Sequence, residues 1–252
     1  MSYSTIKVRR EGETGWVLIA RPEVKNALNV RFFDEIHGAV SDLAQDESVR
    51  TIALMGEGGI FSAGRDFKDR EVPPDFEERR ARAFSALEYC AKPTIAAVSG
   101  YAITGGLTLA TACDLIIAGE DAVFQDTHAS FGITSMRASR LVELVGLQRA
   151  KELLFTCRRI DAREALAIGL VCKVVPPDRL ESEARAMAAG INGHDQMAVR
   201  AMKQVINEVV RKDQKGILDM EELYKRRYHD LRSENSGLDN GLAYLGSRGA
   251  GE

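Results

Sequence analysis

The sequence predicts an α/β fold, on three observations. Short apolar strands recur along the chain, segments with helical spacing lie between them, and only helical patterns follow Pro176-Pro177. In chain order the strands are Trp16 to Ala20, Thr51 to Met55, Thr94 to Val98, Leu115 to Ala118 and Leu170 to Val175. Phe33, Ile36, Val40 and Leu43 recur every three or four residues and predict a helix between the first two strands. Phe84 to Cys90 predicts another before Thr94. This tight alternation fits an open doubly wound sheet and a coiled succession of ββα units equally well.

Past Pro177 two apolar stripes stand out, one of Met202, Val205, Ile206 and Val209, the other of Ile217, Met220, Tyr224, Tyr228 and Leu231. A boundary near Gly193 divides a core, 1–193, from a helical region, 194–252. The glycine-rich end, Gly246 to Glu252, is expected to fray.

A net charge of −3 argues against general nucleic-acid binding. No apolar run reaches the length of a membrane span, and Met1 to Glu13 lacks the apolar core of a signal peptide. A cytoplasmic protein with neither membrane nor nucleic-acid partners is therefore expected. The four cysteines, Cys90, Cys113, Cys157 and Cys172, lack metal-type spacing and read as buried reduced thiols. The four histidines show no paired spacing, so no protein-bound metal is expected.

Chemistry points to Tyr101-Ala102-Ile103-Thr104-Gly105-Gly106-Leu107-Thr108-Leu109-Ala110. An apolar strand runs here into paired glycines that open a helical pattern. Glycine lets a ligand approach the backbone, and free N–H groups at a helix start favour a negatively charged oxygen. Phe61-Ser62-Ala63-Gly64-Arg65-Asp66 follows another strand and can supply a second N–H. Together these are the parts of an oxyanion hole.

With Arg21-Pro22-Glu23-Val24-Lys25-Asn26-Ala27-Leu28-Asn29, Ala112-Cys113-Asp114-Leu115, Thr156 to Ala162 and Glu164 to Val171, these segments resemble the crotonase family, the enoyl-CoA hydratase/isomerase superfamily. The resemblance covers nearly the whole chain. It selects the ββα spiral and implies a C-terminal helical region that covers the site and assembles a homotrimer or a dimer of trimers. It also implies an acyl-CoA thioester substrate, with CoA as part of the substrate and no separate cofactor. Carried over, the oxyanion donors are the backbone N–H groups of Arg65 and Gly105. Lys25, Ala27, Ala63, Asp66, Lys68 and Gly106 fall at substrate-binding positions. Lys25, Lys68 and Arg70 suit the CoA nucleotide, and the Arg65 side chain suits a CoA phosphate.

The acid/base groups depart from the family's hydratases. Thr108 and His128 stand where those enzymes carry glutamates, so the carboxylate pair for hydration is missing. Thr cannot act as a base near neutral pH, whereas an unperturbed imidazole titrates near pH ~6.5. His128 is the leading candidate base and Asp126 can orient it, although alternation along a strand would by itself also place the two on one face. Glu143 is a further candidate. Arg137 and Arg140 read either as partners of a substrate carboxylate or as solvated arginines at a helix start. A His in this segment is similar to the β-diketone hydrolase branch, although Arg137 stands where that branch has an Asp. Three readings stay open: a hydratase- or isomerase-like acyl-CoA enzyme, a His128-dependent hydrolase or retro-Claisen enzyme of β-dicarbonyl substrates, and a catalytically silent acyl-CoA binder.

Overall fold

The first strand is one that hydropathy hides. β1 (Ile6–Glu11) carries Lys7, Arg9, Arg10 and Glu11, and of its residues only Ile6 is buried. Such a strand belongs at a sheet edge, where charges discourage pairing with another chain. It turns at Gly12 (φ 56°) into β2 (Thr14–Ile19) and pairs with it antiparallel. The computed structural model describes residues 3–210 other than 71 and 136, together with 216 and 223.

β3 (Thr51–Gly56), β4 (Thr94–Val98), β6 (Leu115–Gly119) and β9 (Lys173–Val175) complete a six-stranded sheet, parallel from β2 onward, in the order β1-β2-β3-β4-β6-β9. Parallel strands covered on both faces read as continuous apolar runs. Alternation sorts them all the same. Val17, Ile52, Leu54, Ala96 and Val98 join the core beneath α1 (Val30–Gln45), α2 (Phe76–Glu88) and α3 (Gly105–Thr111). Trp16, Ala53, Ile95, Ala97 and Ile117 face the other way, onto Leu180, Ala184 and Ala188 of α7 (Leu180–Asn192). Asn29 caps α1 by accepting from the Phe32 N–H (2.9 Å).

A smaller sheet holds β5 (Tyr101–Ile103), β7 (Val123–Gln125) and β8 (Ile160–Asp161), in the order β5-β7-β8. The chain passes from β4 to β5 over Gly100 (φ 59°), where a Cβ would lie 2.6 Å from the Gly59 carbonyl oxygen. Ser62 bridges Ala102, which brings the segment after β3 alongside β5.

Two expectations are corrected. The strand expected over Leu170 to Val175 is only β9, because Gly169 (φ 80°) turns the chain after α6 (Ala162–Ala167), leaving Leu170 and Val171 buried outside the sheet. Cys90 and Cys113 are buried, but Cys157 is half-buried and Cys172 exposed. The stripe from Ile217 to Leu231 lies outside the described residues.

Of the other stripe, Met202, Val205 and Ile206 lie on α8 (Gln196–Val210) and are more than half exposed. Lys203 fixes α8 to the core, donating to Asp114 Oδ2 (2.6 Å) and the Lys92 carbonyl (2.9 Å). α4 (Ala138–Val145) and α5 (Leu147–Thr156) pack together between β7 and β8 in sequence. Among the described residues no helix is long and apolar enough to cross a membrane.

Candidate active site

Two turns meet at the junction of the sheets. In the first, the Ser62 hydroxyl donates to the Asn26 carbonyl (2.8 Å) and accepts from the Gly64 N–H (3.1 Å). Leu28 N–H donates to Gly64 O (2.7 Å) and Asp66 N–H to Leu28 O (2.9 Å). This bridge engages both neighbours of Arg65 and leaves the Arg65 N–H unused. In the second turn Gly105 is the first residue of α3, where an N–H has no acceptor within the helix. Among the described residues neither amide has a protein acceptor.

The turns touch so closely that only glycine fits at positions 64 and 106. A Cβ on Gly64 (φ 91°) would lie 2.6 Å from Ile103 O and 3.4 Å from Gly105 N. One on Gly106 would lie 2.5 Å from Ser62 O. The position of a Cβ on Gly105 is 3.6 Å from Arg65 N, so the two unused amides border one small space.

His128 is linked to the second turn by a route the sequence does not announce. β7 ends at Gln125, and Asp126 accepts from the His128 backbone N–H (2.9 Å) in a tight turn. The ring follows: Nδ1 lies 2.8 and 3.0 Å from the two oxygens of Asp126. Turn geometry, not strand alternation, therefore joins the pair. Ser135 Oγ donates to Asp126 Oδ2 (3.1 Å). Burial pushes the Asp126 carboxyl up, but the bonds from His128 and Ser135 outweigh it and hold the group below its ordinary value. With Nδ1–H turned to Asp126, the neutral ring keeps its lone pair on Nε2, which has no hydrogen-bond partner among the described residues.

The link to Gly105 runs through Thr127 and Thr104. Thr127 N–H donates to Thr104 Oγ1 (3.1 Å), and the two hydroxyls are hydrogen-bonded to each other. Thr104 has φ 50° and ψ −100°, a backbone region suited to glycine; such strain costs roughly 1–3 kcal/mol and persists only where surroundings enforce it. Thr104 N–H is also held by Gln125 O (2.7 Å). Neither threonine carries a sequence signal. Thr108 is buried, and its hydroxyl donates to Thr104 O (3.1 Å).

The remaining candidates divide. Lys25 is exposed, with Nζ 5.8 Å from the Tyr101 ring centre, and its carbonyl accepts from Ala63 N–H (3.0 Å). Ala27 O accepts from Arg21 Nη1 (2.5 Å), and Arg21 Nη2 binds Asp66 Oδ2 (2.8 Å), so the Asp66 carboxylate is committed inside the protein. Lys68 and Arg70 are exposed. The Arg65 guanidinium lies over Phe76 (4.7 Å) and Phe67 (6.0 Å). Phe67, 49% exposed, meets Phe131 at 5.4 Å between ring centres, an aromatic pair that sequence patterning does not single out.

Arg137 matches neither of its expectations: it is buried, ion-paired with the buried Glu88 of α2, and donates to Ser85 Oγ (2.9 Å). Arg140 donates to Thr111 O (3.0 Å) and Glu143 Oε2 (2.8 Å), which occupies Glu143. No cluster of three or more His, Cys, Asp or Glu side chains able to hold a metal occurs among the described residues.

The family model for enoyl-CoA hydratase/isomerase matches residues 11–241. The chain belongs to that family. It is 34% identical over 254 residues to a probable enoyl-CoA hydratase of Mycobacterium bovis, covering 98% of this chain and 97% of the relative. It is 37% identical to the short-chain-enoyl-CoA hydratase of Clostridium acetobutylicum, covering 82% of each. The crystal structure of an enoyl-CoA hydratase from Mycobacterium avium superposes with a TM-score of 0.83 at 33% identity, covering 92% of this chain and all of that one. The α/β architecture of this enoyl-CoA hydratase/isomerase family member is thus the crotonase type, and the family's acyl-CoA chemistry frames its site.

Proposed function

We propose that this family member acts on acyl-CoA thioesters, holding the thioester oxygen between the N–H groups of Arg65 and Gly105 and using His128 as its base. The pair of amides left without acceptors on two touching turns carries this reading. Negative charge developing on the oxygen as a proton leaves the α carbon is stabilised there; one such donor is typically worth about 2.7–4 kcal/mol in the transition state. His128 Nε2 takes the proton, while Asp126 holds Nδ1–H and steadies the imidazolium that forms. Thr108 orients water or substrate rather than accepting a proton.

Without a glutamate pair, addition of water to a simple enoyl-CoA is slow. The His128–Asp126 pair also suits activation of water against a β-dicarbonyl group, which makes hydrolytic or retro-Claisen cleavage the second reading. Assembly as a homotrimer or a dimer of trimers, and a cytoplasmic location, complete the proposal.

The test is turnover of crotonyl-CoA, longer acyl-CoAs and β-diketones by wild type and His128→Ala, with acyl-CoA binding measured alongside. The expected crotonyl-CoA kcat/KM lies below about 10⁴ M⁻¹ s⁻¹, the foot of the usual enzymatic range. On the preferred substrate, His128→Ala is expected to lose about 10²–10⁴-fold in kcat with nearly unchanged acyl-CoA affinity. Efficient crotonyl-CoA hydration by wild type would overturn the reading of the missing glutamates, and undiminished activity of the variant would overturn the assignment of His128. Binding without turnover on any substrate would leave a silent acyl-CoA binder.

A further inference from the structure

We infer that Thr104 and Thr127 form a clasp that sets the oxyanion donor Gly105 and the base His128 at a fixed separation, so that both are positioning residues. Each threonine is the chain neighbour of one of those groups, and the two are bonded twice: hydroxyl to hydroxyl, and Thr127 N–H to Thr104 Oγ1 (3.1 Å). The clasp rests on the proposed roles of Gly105 and His128.

Thr104 shows why a clasp is needed. Its φ of 50° and ψ of −100° are those of a residue that would relax if released, and the rotation of its ψ decides where the following Gly105 N–H points. Besides Thr127, the bonds on Thr104 are its N–H to Gln125 O (2.7 Å) and its carbonyl from Thr108 N–H (2.9 Å) and Thr108 Oγ1 (3.1 Å). Those two partners tie it to β7 and to α3. Among the described residues, Thr127 alone ties it to the turn that carries His128. A hole that holds the carbonyl oxygen and a base that takes the α proton, three bonds away, must keep their relative placement, because misplacement by about 1 Å can cost about 10²-fold in rate. The side-chain hydroxyls supply that registry where the two sheet segments end.

The test uses the full chain and butyryl-CoA, a saturated thioester, as the probe. In wild type, infrared spectra of bound butyryl-CoA labelled with ¹³C at the carbonyl are expected to show the carbonyl stretch shifted down from its free value. In Thr127→Val the shift is expected to shrink and kcat on the preferred substrate to fall about 10- to 100-fold, while the butyryl-CoA Kd stays within about threefold. Thr127→Ser restores the hydroxyl and is expected to recover both. Thr104→Gly adopts the backbone without strain but loses the hydroxyl, and is expected to behave like Thr127→Val. The double variant Thr104→Gly/Thr127→Val is then no worse than either single one. Additive losses, or a Thr127→Val protein with wild-type kcat and carbonyl shift, would overturn the clasp. A wild type whose bound carbonyl is not shifted would overturn the hole itself and the clasp with it. Circular dichroism separates loss of fold from either result, and the serine variant keeps the proposal testable if valine prevents folding.

Discussion

At the scale of the residue, the pair His128–Asp126 decides what the site can do. A carboxylate that accepts from the imidazole at 2.8 and 3.0 Å selects the tautomer with its lone pair on Nε2. Asp126→Asn keeps the shape but can present its amide to Nδ1 and leave the wrong tautomer; kcat is expected to fall about 10²–10⁴-fold, read by steady-state kinetics. The same carboxyl is linked to stability. Its folded-state pKa lies below the unfolded value of about 3.9, so its stabilisation is complete above that pH and is lost as pH falls through the folded value. The advantage of wild type over Asp126→Asn in urea unfolding is therefore expected to be full at pH 7 and to narrow below about pH 4. An advantage independent of pH would show that the bonds around Asp126 do not favour its charged form.

At the scale of the element, the start of α3 behaves as a joint between two backbones. Gly106→Ala would set a Cβ 2.5 Å from Ser62 O, a backbone atom that cannot rotate away. The expected cost is about 1–3 kcal/mol, with the first turn displaced and activity lost with it. Gly38 in the middle of α1 has nothing within 4 Å of a Cβ, so Gly38→Ala is expected to stabilise by about 0.5–1 kcal/mol through helix propensity alone. Denaturant melts of the two alanine variants check the contrast. Opposite signs are expected from the same substitution, because one glycine is required by contact and the other is not.

At the scale of the molecule, Met202, Val205 and Ile206 stand 57%, 59% and 61% exposed on α8, while Lys203 and its bonds to Asp114 and Lys92 turn the other face inward. An apolar stripe left outward this way suits burial against another copy. Sedimentation at micromolar concentration is expected to give a trimer or hexamer, and Ile206→Glu to lower its mass; a wild-type monomer would contradict the assembly. Much of the architecture could be read from the chain. The apolar runs of β2, β3, β4 and β6, the helical spacing of Phe33, Ile36, Val40 and Leu43 and the glycines of both turns are local signals, and local signals survive in sequence. The charged edge strand β1 escaped, because an edge needs only one buried face. The three-residue β5 and β7 escaped because alternation over so few residues carries no period.

The residue types of the site, Arg65, Gly105, Thr108 and His128, were likewise visible in their motifs. Their surroundings were not. Whether Arg137 is solvated or sealed against Glu88 depends on α2, which lies about fifty residues away in the chain. That Asp126 meets His128 through a turn depends on β7 stopping at Gln125. The sequence by itself determined the family, the repeating α/β order and the groups available for chemistry, since these rest on residue identity and short-range pattern. Only the tertiary structure decided which charges are neutralised by a partner, which amides remain without an acceptor and which hydroxyls join the turn before His128 to the start of α3. Each of those depends on a contact between distant segments, and no local pattern encodes such a contact.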